Sequence, residues 1–314
     1  MPVHPRGTEE PPAADRPLGA LRSTIIGRRR ALGLVGGGLT ALVLAACGSS
    51  DGTTTPATSS SGSSGTAASG SGAAASTAAC EVVPEETAGP YPGDGSNGPD
   101  VLGEPGIVRS DITSSFGSYQ GTADGVPLEV RLNLVDADSG CVPFAGAAVY
   151  LWHCDREGRY SLYSEGATDQ NYLRGVQEAD DDGTVVFRSI FPACYDGRWP
   201  HIHFEVFPSL DEATDVANKI ATSQIAFPED ACDEVYSSAD GYSASVRTLS
   251  RVSLESDNVF GEDSAEHQLG SVTGSVEDGY TIELAAAVSA STAAVVDGPG
   301  GGGAGGGPPG RPGS

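Results

Sequence analysis

The chain has 314 residues, 42 of them acidic against 17 basic, for a formal charge of −25 at neutral pH. Such a surface repels nucleic-acid backbones and anionic lipid, which excludes polyanion binding as its function.

Taken in chain order, the first element is an address. Arg28, Arg29 and Arg30 precede an apolar run from Ala31 to Ala46 that is too short to span a bilayer, so residues 1–46 read as an export signal. The run ends in Leu44-Ala45-Ala46-Cys47-Gly48, which resembles a lipobox, the site where bacteria cleave the signal and attach lipid to the cysteine. Cys47 is then the mature N-terminus, and the expected location is extracytoplasmic, with membrane contact only through that anchor. The arginines also resemble a twin-arginine signal, with an ordinary Sec signal as the alternative. Removing residues 1–46 takes away six arginines and three acids, leaving a still more acidic protein.

Residues 47–79 are Ser, Gly, Thr and Ala with almost no large apolar side chain, a flexible tether. Residues 291–314 form a disordered Gly/Pro tail by the same logic. One domain remains, 80–290. Besides Cys47 it holds Cys80, Cys141, Cys154, Cys194 and Cys232; with no C-x-x-C pair, an exported chain implies two disulfides and one free thiol, their pairing unread.

Within the domain, Leu128, Val130, Leu132 and Leu134 alternate with Glu129, Arg131 and Asn133, the period of a half-buried strand. Val149 and Leu151, then Val185 to Phe187, are further strand candidates. Breakers at 136–140, 155–158 and 180–183 recur between them. The expectation is a mostly β fold, an antiparallel sandwich with disordered extensions at both ends. The acids from Glu178 to Asp182 read as a hairpin turn ending in Gly183 in preference to a calcium loop. Asp211 to Lys219 is the one candidate helix, short and starting near Asp211 or Glu212.

In Trp199-Pro200-His201-Ile202-His203-Phe204-Glu205-Val206, the apolar Ile202, Phe204 and Val206 share one parity and His201, His203 and Glu205 the other. Side chains at i and i+2 lie on one face of a strand roughly 7 Å apart, close enough to converge on a cation. Of the five histidines, His4 lies in the signal, His267 in a polar segment, and His153 between Trp152 and Cys154. Two imidazoles make an incomplete site. Carboxylate, thiolate or phenolate must complete it, and with a zinc or copper enzyme or a non-catalytic module in view, the residues alone leave the choice open.

The blocks Thr87-Ala88-Gly89-Pro90-Tyr91, Val149 to Asp155, Gly158-Arg159-Tyr160-Ser161, Phe191 to Phe204 and Thr222-Ser223-Gln224 together resemble the intradiol ring-cleavage dioxygenases, in the family's order. That resemblance implies a non-haem Fe(III) held by Tyr160, Tyr195, His201 and His203. It implies a small aromatic diol and O2 as substrates, with Tyr195 the ligand that leaves when the diol binds and His203 opposite it. Arg198 and Gln224 match the family's arginine and glutamine that stabilise the electron-rich substrate, and Tyr91, Tyr172 and Arg174 are candidate pocket residues. As ligands, Tyr163, Tyr172, Tyr236 and Tyr242 are set aside and read as structural. Two phenolates are hard anionic donors that offset most of a 3+ charge. A ferrous two-histidine, one-carboxylate triad would instead need Glu205. The family's long helical N-terminal region has no counterpart in this sequence, which leaves the oligomeric state open.

Overall fold

The apolar and polar alternation from Pro127 to Asp136 forms β1, with Leu128, Val130, Leu132 and Leu134 buried and the residues between them half-exposed. The computed structural model describes residues 81–291. The signal, Cys47, the tether, Cys80 and the tail beyond residue 291 lie outside the described residues. Eight further strands follow: β2 (Val142–Pro143), β3 (Ala148–Trp152), β4 (Arg174–Glu178), β5 (Thr184–Ile190), β6 (His201–Phe207), β7 (Ala221–Ala226), β8 (Ser271–Ser275) and β9 (Gly279–Val288).

They form two sheets. In the first, β1 lies between β5, antiparallel, and β9, parallel, with β8 on the far side of β9 and β2 on the last two residues of β1. The second has the order β4-β3-β6-β7 and is antiparallel throughout. The sandwich is therefore mostly β as expected, but not wholly antiparallel. The β1–β9 pair joins strands with the whole second sheet between them in sequence, the long crossover that parallel pairing requires.

The core fills the space between the sheets. Leu128, Val130, Leu132, Val185, Phe187 and Ile282 of the first sheet pack with Val149, Leu151, Ile202, Phe204, Val206 and Ile225 of the second. Every residue of β6 is buried because its other face is covered too. There Tyr150, Trp152, Val176 and Phe207 pack under Ala88, Val101, Leu102, Ile107 and Phe116 of the segment before β1 and Tyr160 of the loop after β3. This second, loop-covered face carries His201 and His203.

Three local expectations are corrected. The turn after β4 does not close a hairpin: Asp180 Oδ1 accepts from Asp182 N and Thr184 N, and the chain passes to β5 in the other sheet. Residues 211–219 form turns and a single 3-10 turn, Val216–Asn218, capped by Asp215; the Asp215 carboxylate competes for the backbone donors a longer helix would need. Two helices with no clear sequence signal, α1 (Glu229–Ser238) and α2 (Ser243–Leu249), pack beside the core through few residues each, Ala231, Cys232, Val235 and Tyr236 in α1. No helix among the described residues is long and apolar enough to cross a membrane.

The disulfide arithmetic is also corrected. Cys141 is disulfide-bonded, whereas Cys154, Cys194 and Cys232 are free and buried. These three sit in packed core, where a thiol serves as a small apolar group.

Candidate metal centre

β6 presents His201 and His203 on its loop-covered face, and the sheet register builds a row across it. Arg174, Trp152, His203 and Gln224 are successive cross-strand partners on β4, β3, β6 and β7. Tyr160 enters from the loop after β3. Asp155 shapes that loop by accepting from Glu157 N, Arg159 N and the Arg159 guanidinium. Gly158, at φ +81°, closes it against the loop of Tyr195, since a Cβ at 158 would lie 3.2 Å from Tyr195 Cβ.

The four polar tips converge. Tyr160 Oη is 3.4 Å from Tyr195 Oη and 3.5 Å from His201 Nε2; Tyr195 Oη is 3.2 Å from His201 Nε2; the two Nε2 atoms are 3.0 Å apart. Ligands with bonds near 2 Å to one ion stand about 3 Å from their neighbours. His201 Nδ1 donates to the Trp199 carbonyl at 2.5 Å, so its Nε2 presents a lone pair to the centre. Burial, then the Arg198 charge, holds His201 neutral; burial, then His201, does so for His203. Burial also raises the Tyr160 and Tyr195 phenols above their ordinary value. Two neutral imidazoles and two phenols facing one another at these distances fit a cation that ionises the phenols.

The phenols are essential to that fit. Among the described residues no group of three or more His, Cys, Asp or Glu converges on a metal position. Glu205, the carboxylate a ferrous triad would need, is paired with Lys219 Nζ at 2.8 Å, both side chains buried.

Arg198 lies beside the four. Its Nη1 is 3.5 Å from His201 Nε2, its Nη2 donates to Gln224 Oε1 at 2.7 Å, and its Nε donates to Asp257 Oδ2 at 2.9 Å. Gln224 in turn donates to the Thr87 carbonyl at 3.0 Å.

The pocket candidates divide. Tyr91 packs at the centre, its ring 4.9 Å from that of Tyr160. Arg174 does not line a pocket: it is fully buried and donates to the carbonyls of Tyr91, Pro92 and Ser161, to Ser161 Oγ and to Tyr150 Oη, so it anchors the loop that carries Tyr91. Tyr172 donates to Asp155 Oδ2 and packs with Ala123, Ala167, Leu173 and Ile190, which makes it structural. His153 bonds Ser189 and the Cys154 carbonyl, and His267 pairs with Glu81, so their ring nitrogens are engaged elsewhere than with the four tips.

Two residues escaped the sequence reading. Asp257 holds Arg198 and accepts from the backbone of Trp199, Val259 and Phe260. Glu86 interacts with Gln268, Asp263 and Arg198, and its carboxyl is pushed up to about 7 by burial and then by Asp263. Both are acids in a chain full of acids, with no spacing that marks them.

A family model described as Dioxygenase matches residues 110–267, half of the chain. The chain is 37% identical over 59 residues to a chlorocatechol 1,2-dioxygenase of Rhodococcus opacus, 19% of this chain and 23% of that protein. It is 38% identical over 58 residues to a catechol 1,2-dioxygenase of Pseudomonas sp., 18% of this chain and 19% of that protein. The matched stretch thus spans less than a quarter of either curated relative. An intradiol ring-cleavage dioxygenase from Tetranychus urticae superposes with a TM-score of 0.52 at 28% identity, covering 68% of this chain and 96% of that one. With the sandwich, the family match over half the chain and this structural likeness in agreement, the chain belongs to the intradiol ring-cleavage dioxygenases.

Proposed function

We propose that the protein is a non-haem ferric dioxygenase that opens catechol-type diols between the two hydroxylated carbons, placing both atoms of O2 in a muconate-type diacid. The convergence of two phenol oxygens and two imidazole nitrogens within 3.0–3.5 Å of one another carries this reading. Tyr160, Tyr195, His201 and His203 would hold the Fe(III). When bound, the ion supplies a Lewis acid that makes the ring carbon of a chelated diol reactive toward O2.

The chain's own residues have distinct tasks. Arg198 keeps its charge while buried, because Tyr195 and Asp257 offset the burial that would otherwise lower its pKa. Its guanidinium is thus a fixed cation beside the centre, where charge develops on the substrate, and Gln224 and Asp257 hold its aim. Tyr160 is buried at 1% exposure, whereas Tyr195 is only partly buried. Tyr195 is therefore the phenol placed to give way to a diol and to accept one of its protons. Tyr91 closes the side next to Tyr160, and the covering loops keep water from the reacting ring.

The iron-loaded protein is expected to show visible tyrosinate-to-Fe(III) absorption, a high-spin ferric EPR signal, and O2 uptake with catechol that puts two labelled oxygens into the product. Iron-loaded protein lacking all three overturns the reading, and elemental analysis separates it from a zinc or copper enzyme. A panel of catechols with different ring substituents then assigns the preferred diol. Export and lipid anchoring at Cys47 belong to the same proposal, supported by the arginine-led apolar run and the lipobox-like Leu44 to Gly48. Wild-type protein should partition with membranes and Cys47→Ala should not.

A further inference from the structure

His201 and His203 are held in different ways. His201 Nδ1 donates to the Trp199 carbonyl, the usual outer contact of a ligating imidazole. His203 Nδ1 is buried and has no protein partner. Against its ring lies Trp152, its direct cross-strand partner, with centroids 4.9 Å apart and planes 7° from parallel. Tyr150 continues the stack beyond the indole, at 5.1 Å and 22°, and is itself fixed by its hydroxyl donating to the Pro92 carbonyl at 2.6 Å. Tyr160 meets His203 edge-on at 6.2 Å, and a Cβ on Gly89 would lie 3.5 Å from His203 Cε1, so the ring is enclosed on its remaining sides.

Hydrogen bonding does not account for a tryptophan at 152. Its buried Nε1 has no protein partner, an arrangement that costs stability. Its flat face against His203 does account for it. We infer that Trp152 is the positioning residue of His203: the indole face, in place of a hydrogen bond, sets the plane of that imidazole and hence the direction of its Nε2. This rests on His203 being a metal ligand. It makes the two histidines unequal donors, with His201 polarised by a carbonyl and His203 not.

The test uses the full chain loaded with Fe(III), as wild type, Trp152→Phe, Trp152→Leu and Leu151→Ala. Leu151 is in the core on the opposite face, so its variant is destabilised without touching the centre. Trp152→Leu should lose iron to a chelator at least about tenfold faster and shift both the ferric EPR rhombicity and the charge-transfer maximum. Trp152→Phe, which keeps a flat face, should stay near wild type in all three. Leu151→Ala should lower Tm and leave the spectra alone. Wild-type spectra and iron loss in Trp152→Leu, or the same changes in Leu151→Ala, would overturn the inference. A wild-type chain that binds no ferric ion would instead sink the ferric assignment. The stack is then read in the metal-free protein, where Trp152 should shift the His203 ring protons upfield, Trp152→Leu should abolish that shift, and an unshifted wild-type resonance overturns it.

Discussion

Arg198 and Asp257 form an ion pair of 2.9 Å with both side chains buried, at 7% and 0% exposure. The pair fixes the cation beside His201 and ties the turn leading into β6 to the segment that carries Phe260. Asp257→Ala leaves the guanidinium unpaired in the interior, and should cost about 3–5 kcal/mol of stability and most of the turnover. Asp257→Asn, which keeps one acceptor oxygen and so can serve either Trp199 or Val259 and Phe260 but not both, should lose less. Thermal unfolding beside O2-uptake kinetics checks both.

The two phenols should respond differently to loss of their oxygen. Tyr160→Phe removes the buried donor and is expected to impair iron retention as well as colour. Tyr195→Phe should retain iron, lose part of the charge-transfer absorption and fall in kcat by about tenfold or more, as for loss of a positioned proton acceptor. Metal content, visible spectra and kcat of each variant decide it. A Tyr195→Phe protein with full colour and rate would falsify the assignment of that ligand.

Glu86 gives a pH signature. Its carboxyl is raised from 4.5 to about 7, so between those values the folded chain holds a proton that the unfolded chain has released. Stability contributed by this group is complete below about pH 4.5 and falls as pH rises through 7. Glu86→Gln should therefore raise Tm at pH 8, by about 2–4 °C given the partial exposure of the group, and leave it unchanged at pH 4. Tm measured across that range for both proteins tests the sign.

Gly183 is at φ +75°, and a Cβ there would stand 2.4 Å from the Leu134 carbonyl oxygen. Gly183→Ala should cost about 1–3 kcal/mol. Because the turn lies between the sheets and away from the centre, specific activity of the folded fraction should not change. Denaturant titration with activity per folded molecule separates the two effects.

Cys154, Cys194 and Cys232 are buried, and burial raises all three thiols, Cys194 to about 12. They should resist thiol reagents in the native state and react on unfolding, since the thiolate is the reactive form. Native reaction of any of them within minutes would show that its site opens.

Much of this was legible in the sequence. The alternation in β1 and the shared parity of His201 and His203 are local facts, written at spacing i, i+2, and any strand must obey them. The motif blocks around Tyr160 and Tyr195 pointed to the two phenols whose hydroxyls meet that pair. The two missed helices bury few residues each, and the 211–219 segment lost its helix to an Asp side chain that caps a shorter turn.

What the sequence determined by itself was therefore the β character and the face of the histidine pair, while its resemblance to a family pointed to the two tyrosines and Arg198 that the fold brings beside that pair. Tertiary structure alone decided which partners those side chains met. Arg174 and Tyr172 became structural because their donors found carbonyls and a carboxylate inside the fold, and Asp257 and Glu86 came to act on Arg198 from 59 residues after and 112 residues before it. Periodicity acts over neighbouring residues, whereas these contacts depend on sheet register and loop closure. Neither leaves a local trace, and the parallel pairing of β1 with β9 was invisible for the same reason.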